Sequence, residues 1–570
     1  MRRWAEIAEA VAGTTRTSEK AAILADHLRG LDDASLPIAC VFLTGRAFAQ
    51  ADQRTIGLGW AAIRTAVMSV AGVDDDALGR AYDRYSDLGL AVADVLETAG
   101  HHGSTDEGPT VVAIADVFAA IERASGAARK ADLLAELLRR CDPLSAKYVT
   151  RILGGELRIG LREGLLETAI ARAFDRPLAD VKRAGMLTGD VGRTASLARV
   201  DRLADATLGL FNPLKFMLAS PAEDAAEILA RLGPVVWVED KYDGIRCQLH
   251  KLGTEVRLYS RDLHDVSAAF PEVVEAASLL DWDGILDGEI LGWRDGVVLP
   301  FLALQSRLGR KAPSVAVRAE VPVVFVAFDL LAHGTSGVRA MPLLEEPLSV
   351  RRRRLEALGL PLVGDGGRFA LSHLVTADSA DALEAAFAEA RARRNEGLIV
   401  KDPDSPYSPG RRGLGWLKMK KALATLDCLV VGVEVGHGKR HGVLSDYTFA
   451  VRDDASGDLV TIGKAYSGLT DAEIAEMTRF FEAHTIRRYG RYRQVEPLVV
   501  VEIAFDVIMR SARHKSGFAL RFPRIVRLRS DKNPAEIDTL ATVEAIFRGL
   551  QHGAEHLVTA AARSPGQDAI

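Results

Sequence analysis

The stretch EDKYDGIR (239–246) completes an apolar, β-branched run, VVWVE (235–239), and contains the pattern Lys-x-Asp-Gly. The run favours a strand and Tyr-Asp-Gly favours a turn, so the sequence predicts a strand that ends by presenting Lys241 to a pocket. Side chains two apart share a face of a strand, which places Glu239 with Lys241 and directs Asp240 away. By itself the pattern is weak, because three fixed positions occur by chance in on the order of one chain in ten of this length.

The residue pattern of the chain changes twice, before and after this stretch. The first third has helical periodicity, as in ADLLAELLRR (131–140), interrupted by HHGSTDEGP (101–109), which predicts a surface loop. From FNP (211–213), short β-branched runs such as VPVVFVAF (321–328) alternate with helices and turns. The prediction is therefore an all-α domain, an α+β domain, a small β-barrel and a flexible tail, with the bounds 1–210, 211–422, 423–560 and 561–570.

Composition and charge fit a soluble multidomain protein: the chain has 570 residues, of which 48% are hydrophobic and 26% charged. The formal net charge of -5 gives no reason to expect a nucleic-acid partner, so such a surface needs local clustering of Lys and Arg. No apolar run approaches the roughly 18 residues of a membrane span, and the N-terminus does not resemble a signal peptide. The cysteines form no C-x-x-C pair, which argues against a zinc site and for a reducing cytoplasm; they are Cys40, Cys141, Cys247 and Cys428.

Other segments of the chain strengthen the interpretation of EDKYDGIR. Downstream of it come SRDL (260–263), LDGEI (286–290), AFDL (327–330), EGLIV (396–400), WLKMK (416–420) and RFPR (521–524). In this order and spacing they resemble the nucleotidyltransferase motifs of ATP-dependent DNA ligases, and so do LGGELRIGLREGLL (153–166), FNPLKFMLA (211–219), SPYSPGRRGLGWLKMKK (405–421) and RHKSGFALRFPRIVRLRSDK (513–532). The resemblance covers nearly the whole chain. It implies a helical DNA-binding domain, an ATP-grasp-like adenylation (nucleotidyltransferase) domain and an OB-fold barrel.

The resemblance also implies the chemistry. Lys241 would attack the α-phosphate of ATP and carry AMP, which is passed to nicked duplex DNA during replication, repair or recombination. Transfer to a lysine needs a deprotonated amine, a state that neighbouring cations and Mg²⁺ or Mn²⁺ favour. The implied nucleotide contacts are Glu239 on the adenine amino edge, Phe328 stacked on the base, and Arg246, Arg261, Glu289, Arg412, Lys418 and Lys420.

Glu289 and Glu396 each flank a glycine beside an apolar strand. They resemble the family's carboxylates that bind the ribose or hold the divalent metal, and Mg²⁺ prefers hard oxygen ligands of this kind. Lys418 and Lys420 lie two apart, so an extended segment would direct both to the α-phosphate. The implied setting is a cytoplasmic monomer, with a sliding clamp or other repair proteins as candidate partners.

Two basic segments receive different interpretations. The run Arg351 to Arg354 is interpreted as a solvated helix face that adds at most a phosphate contact. In the last domain, the resemblance implies that the barrel swings in to orient pyrophosphate and swings out to bind DNA, with the cations Arg521, Arg524, Arg529 and Lys532. Phe216 and Asp240 depart from the family pattern, where a proline and a less acidic residue are usual.

Four alternatives are weighed against this assignment. NAD-dependent ligases normally carry a four-cysteine zinc site that the spacing here cannot supply, and RNA-capping guanylyltransferases lack the helical first third. An RNA ligase fits less well because LGGELRIGLREGLL resembles the part that encircles duplex DNA. A non-catalytic DNA-end-binding scaffold is disfavoured because Lys241, both glutamates and both lysines of WLKMK are retained.

Overall fold

A computed structural model of the chain describes residues 1–74, 76–103, 108–294, 297–299, 301–308, 312–335, 340–362, 367–393, 395–419, 424–436, 440 and 442–552. The contacts divide the chain into two compact units. The first is Met1–Ala386 with Leu398–Lys418, and the second is Phe387–Gly397 with Met419–Ile570.

The N-terminal part of the first unit is helical, as predicted. In α8 the residues Leu134, Leu137 and Leu138 are buried, which confirms the apolar face expected for ADLLAELLRR. The predicted loop at 101–109 contains residues 104–107, which lie outside the described residues. The helices are α1 (Arg2–Ala12), α2 (Thr17–Arg29), α3 (Ser35–Leu43), α4 (Trp60–Ala71), α5 (Ala77–Tyr85), α6 (Leu88–Thr98), α7 (Val111–Arg123), α8 (Ala127–Arg140), α9 (Pro143–Leu153), α10 (Glu163–Phe174), α11 (Leu178–Thr188) and α12 (Val191–Arg199).

The middle of the chain is α+β, also as predicted. Each of the runs VVWVE, VPVVFVAF and EGLIV supplies a strand. The elements are β1 (Leu218–Ala222), α13 (Ala225–Leu232), β2 (Val236–Lys241), β3 (Ile245–Leu252), β4 (Glu255–Ser260), α14 (Pro271–Ser278), β5 (Asp283–Arg294), β6 (Val297–Val298), α15 (Phe301–Gln305), α16 (Val315–Glu320), β7 (Val323–Gly334), β8 (Met341–Pro342), α17 (Leu348–Glu356), β9 (Phe369–Leu371), β10 (Leu374–Ala377), α18 (Ala380–Ala392), β11 (Gly397–Lys401) and β12 (Arg412–Met419).

These strands form two sheets. One sheet has the order β1-β12-β11-β2-β10, and the other has β4-β3-β5-β7-β8 with β6 on β5 and β9 on β7. β2 belongs to the first sheet and β3 to the second, so the turn at 242–244 carries the chain from one sheet to the other. The predicted nucleophile, Lys241, is therefore the last residue of its strand at the junction of two sheets.

The second unit is rich in strands. β13 pairs with β18 along its first half and with β14 and β17 along its second half, and its ladder shifts register twice. Bulges of this kind increase twist and let one strand serve two half-sheets, as in a small barrel. The elements are β13 (Ala424–Val435), β14 (Leu444–Arg452), β15 (Leu459–Ala465), α19 (Asp471–Ala483), β16 (Thr485–Tyr489), β17 (Tyr492–Val495), β18 (Val500–Phe505), β19 (Val507–Arg510), β20 (Phe518–Arg521), β21 (Arg524–Leu528) and α20 (Leu540–His552).

Predictions from the sequence also concerned membrane spans and the cysteines. Within the described ranges, no helix combines the length and apolarity needed to cross a membrane. All four cysteines are buried as free thiols.

Candidate active site

The turn between β2 and β3 leaves no room for a side chain at Gly244. A Cβ placed there would lie 2.4 Å from the carbonyl oxygen of Ile290 and 2.8 Å from Cγ of Glu289. The glycine of the Lys-x-Asp-Gly pattern is therefore required by the close approach of β5. This packing holds Gly244, three residues after the half-buried Lys241, against the strand that carries Glu289.

Glu239 lies two residues before Lys241 and is buried, with 4% of its surface exposed. Nζ of Lys401 donates to its Oε2 at 2.6 Å, and Oε1 accepts from Nη1 of Arg352 at 3.3 Å and from Oγ of Ser372 at 3.2 Å. A buried carboxylate is costly unless it is paired and hydrogen-bonded, and these contacts meet that need. They also hold the carboxylate in one orientation.

Arg246, on β3, is paired with Asp287 of β5. Its Nε and Nη2 donate to the two carboxylate oxygens at 3.1 and 2.7 Å, and its Nη1 donates to the Met217 carbonyl at 2.7 Å. Burial lowers the pKa of Arg246, but the charge of Asp287, its hydrogen bonds and the nearby Tyr407 and Glu289 together outweigh burial and raise that pKa overall. Tyr407 donates to the same carboxylate at 2.7 Å, and burial followed by the Asp287 charge raises the pKa of its phenol well above the ordinary value. The structure thus shows what anchors Arg246, while a contact with the nucleotide stays a prediction.

Aromatic rings surround these charges. Phe328 is 9% exposed and meets the Trp416 ring edge-on, with 6.3 Å between centroids. Nζ of Lys401 lies 4.8 Å from the centroid of Phe328 and 4.4 Å from that of Trp416. Phe216, which stands where the family usually has proline, packs under the Arg246 guanidinium at 4.9 Å. This departure therefore adds a cation–π contact to the site.

The other predicted residues lie as follows. Glu289 is half-buried on β5, where its Cα is paired with that of Arg246. Arg261 is exposed in the turn after β4 and Arg412 is exposed as the first residue of β12. Lys418 is half-buried on β12, whereas Lys420 lies outside the described residues.

The predicted metal ligands Glu289 and Glu396 suit a divalent cation only if substrate phosphates and water supply the other ligands. Among the described residues, no three His, Cys, Asp or Glu side chains form a group that could hold a metal by themselves. Mg²⁺ usually keeps several waters and binds through one or two carboxylates together with substrate phosphates. Glu289 suits that mode, as does Glu396, which is half-buried just before β11 and groups with the second unit.

The interpretation of the arginine run as a solvated face is wrong for two of its members. Arg351 and Arg352 on α17 are buried, at 0% and 4% exposure, whereas Arg353 and Arg354 are exposed. Nε and Nη2 of Arg351 donate to the two oxygens of Asp329 at 2.8 and 2.9 Å. Lys401, which is buried and donates to Glu239, was also missed from the sequence. Its position directly after the apolar run EGLIV was a usable signal, because a lysine buried at the end of such a strand is rare unless it is paired.

Arg524, Arg529 and Lys532 of the last domain are paired with acidic residues of their own unit. Arg529 donates to both oxygens of Asp427 at 3.0 and 3.1 Å, and Nζ of Lys532 lies 2.6 Å from the same carboxylate. Arg524 makes a longer pair with Asp506 at 3.4 Å. Arg529 and Lys532 therefore help to hold β13 to the segment after β21.

Three family models match the chain in succession: DNA ligase N terminus over residues 1–171, ATP dependent DNA ligase domain over 216–420, and ATP dependent DNA ligase C terminal region over 440–532. A DNA ligase of Methanothermobacter thermautotrophicus is 36% identical over 95% of this chain and 98% of its own length. The chain belongs to the ATP-dependent DNA ligases.

Other relatives agree with this assignment. A probable DNA ligase of Koribacter versatilis is 44% identical over 97% of each chain. A probable DNA ligase of Opitutus terrae is 46% identical over 95% of this chain, which spans only 61% of that longer relative. The solved structure named Pmar-Lig_Pre shares the fold, with a TM-score of 0.60 and 17% identity over 92% of this chain and 99% of its own. The chain is thus a ligase that uses ATP to seal nicks in DNA, and the predicted three-part fold class is confirmed.

Proposed function

We propose that Lys241 is the residue that carries AMP in this ligase. Its amine attacks the α-phosphorus of ATP, a nitrogen–phosphorus bond forms and pyrophosphate leaves. The AMP then passes to the 5′-phosphate of the nick, and the 3′-hydroxyl displaces it to close the strand. The observation that supports this assignment is the place of Lys241 at the end of β2, at the junction of two sheets and two residues from the held carboxylate of Glu239.

The surrounding residues would divide the remaining work. Glu239 would accept from the adenine amino group, Phe328 would stack on the base, and Arg261, Arg412, Lys418 and Lys420 would neutralise phosphate charge. Glu289 would hold Mg²⁺ together with the phosphates, and the cation would stabilise negative charge at the reacting phosphate. A role of Glu396 as a metal ligand stays a prediction. Incubation with α-labelled ATP should yield a labelled protein band that nicked DNA chases into DNA, and absence of the band would contradict the assignment.

The protein has a negative net charge, so its contacts with DNA would come from local basic segments. Arg162 is exposed and directly precedes α10, within the stretch LGGELRIGLREGLL. Among the described strands of the second unit, β16 lies at the edge of its sheet, and Arg487 and Arg488 are exposed on it. Both segments are suited to phosphate contacts, which position duplex DNA without reading its sequence.

Substitution of Arg162 should separate DNA binding from nucleotide chemistry. We expect Arg162→Ala to weaken binding of nicked duplex uniformly across sequences and to reduce the salt dependence of binding by a slope of about 1, because one phosphate contact is lost. Self-adenylation should be unchanged. Arg172→Ala, at an exposed position near the other end of α10, is the matched control. Equal binding by the two variants would contradict a DNA-contacting role for Arg162.

Substitution of Arg521 should test the pyrophosphate role assigned to the last domain. Arg529 is unsuitable for this test because it is bound to Asp427 and its loss would damage the unit. If Arg521 orients pyrophosphate, Arg521→Gln should seal nicks with ATP at least about tenfold more slowly, since hydrogen bonds to charged groups contribute about 1.5–3 kcal/mol. A nick that already carries AMP on its 5′-phosphate releases no pyrophosphate, and its sealing should be nearly normal. Parallel loss of both activities would assign Arg521 to DNA binding instead.

Several expectations stay predictions: the bounds 1–210, 211–422, 423–560 and 561–570, the monomeric state, the cytoplasmic setting, and a sliding clamp as partner. The pathway served, whether replication, repair or recombination, also stays a prediction.

A further inference from the structure

Arg352 connects the two sides of the proposed base pocket. Its Nη1 donates to Glu239 on β2 and, at 2.8 Å, to Oγ of Ser372, while its Nη2 donates to the Ser372 carbonyl at 2.8 Å. Ser372 in turn donates its backbone N–H to the carbonyl of Ala327, the residue before Phe328. One buried guanidinium is thus bonded to the acceptor of the pocket and to the strand region that carries its aromatic wall.

The contacts of Glu239 define where another donor can bind. An ionised carboxylate offers about four lone-pair positions. Arg352 and Ser372 occupy positions on Oε1, and Lys401 occupies one on Oε2. Among the donors of the described residues, these three leave one lone-pair position on Oε2, which suits a further donor such as an exocyclic amino group and not a carbonyl oxygen. The orientation of Oε2 depends on the hydrogen bonds that Arg352 and Ser372 donate to Oε1.

We propose that Arg352 is a positioning residue that holds Glu239 in the orientation needed to accept from the 6-amino group of adenine, and so sets the preference of this ligase for ATP. The proposal rests on the proposed role of Glu239. The planar fork of arginine can hold the Glu239 carboxylate, the Ser372 hydroxyl and the Ser372 carbonyl together, whereas a lysine presents a single charged nitrogen. Without the fork, Lys401 and Ser372 still donate to Glu239, but Ser372 itself is no longer held by Arg352, so the carboxylate can rotate.

The test compares ATP with purine riboside triphosphate, which lacks only the 6-amino group. Self-adenylation is measured over a range of each nucleotide in saturating Mg²⁺. Wild-type enzyme should use ATP about tenfold or more better than the analogue, because a buried acceptor left without its donor is costly. Arg352→Gln should lose most of this ratio through a raised KM for ATP, with KM for the analogue little changed. Arg352→Lys should recover part of the ratio because it keeps the charge.

The ratio is a readout that misfolding does not move, since both nucleotides are tested on the same preparation. Arg354→Gln is the matched control, because this residue is exposed on the same helix; it should keep the wild-type ratio. If Arg352→Gln loses activity with both nucleotides equally, Arg352 acts only through stability and the proposal is overturned. If wild-type enzyme itself fails to distinguish the two nucleotides, the role of Glu239 fails first, so the two outcomes are distinct.

Discussion

Lys241→Ala should abolish self-adenylation and the sealing of ordinary nicks, by about 10³-fold or more, because the proposed covalent intermediate has lost its nucleophile. Lys241→Arg should fail as well, since a guanidinium does not deprotonate in proteins and cannot attack phosphorus. The measurement is transfer of label from α-labelled ATP to the protein, followed on a denaturing gel. Appreciable labelling of either variant would remove Lys241 from the role proposed for it.

A pre-adenylated nick separates loss of chemistry from loss of structure. Sealing of this substrate requires only attack by the 3′-hydroxyl, with AMP as the leaving group, so it bypasses the attack of Lys241 on ATP. Lys241→Ala should therefore seal pre-adenylated nicks far better, relative to wild type, than it seals nicks with ATP. A variant that loses both activities while its thermal unfolding is unchanged would show that Lys241 also acts in the last step.

Arg351→Ala should destabilise the first unit by about 3–5 kcal/mol, because it leaves the carboxylate of Asp329 buried without its partner. Both side chains are 0% exposed and joined by two hydrogen bonds. If the predicted domain 211–422, which contains both residues, unfolds as one unit of 150–250 residues, this corresponds to a fall in Tm of about 6–20 °C. Differential scanning calorimetry of the full chain would measure it.

The double variant Arg351→Met with Asp329→Leu provides the control. Replacing a buried ion pair by apolar residues of similar volume is often nearly neutral, whereas breaking the pair is costly. The double variant should therefore unfold at a higher temperature than Arg351→Ala. If it is as unstable as the single variant, the cost arises from lost packing, and the charge of Asp329 is not its cause.

The sequence was sufficient for the elements that depend on local pattern. The apolar run before Lys241 and the Tyr-Asp-Gly turn predicted the end of β2, and the leucine spacing predicted the buried face of α8. Motif order then predicted which segments would share a pocket, and the structure places Glu239, Arg246 and Phe328 around one cluster of charges and rings.

The partners of buried charges could not be read from local pattern. Four consecutive arginines look like a solvated helix face because charge runs are usually solvated. The partner of Arg352, Glu239, is 113 residues away in the chain, so no local pattern indicates the contact. Only the packing of α17 against β7 shows that consecutive arginines, about 100° apart around a helix, reach Asp329 and Glu239 separately. In the same way, Asp287 lay within a recognised motif, but nothing in the sequence paired it with Arg246 and Tyr407.

The four buried thiols make this ligase convenient for labelling. Burial raises the pKa of Cys247 and Cys428 well above the usual range and that of Cys141 to about 12. Alkylating reagents attack the thiolate, whose population falls tenfold for each unit by which the pKa rises above the ambient pH. The native cysteines should therefore stay unmodified during a short maleimide reaction, and need not be removed first. A single cysteine introduced at an exposed position of β16 could then carry a fluorophore, whose signal during turnover would test the predicted swing of the last domain.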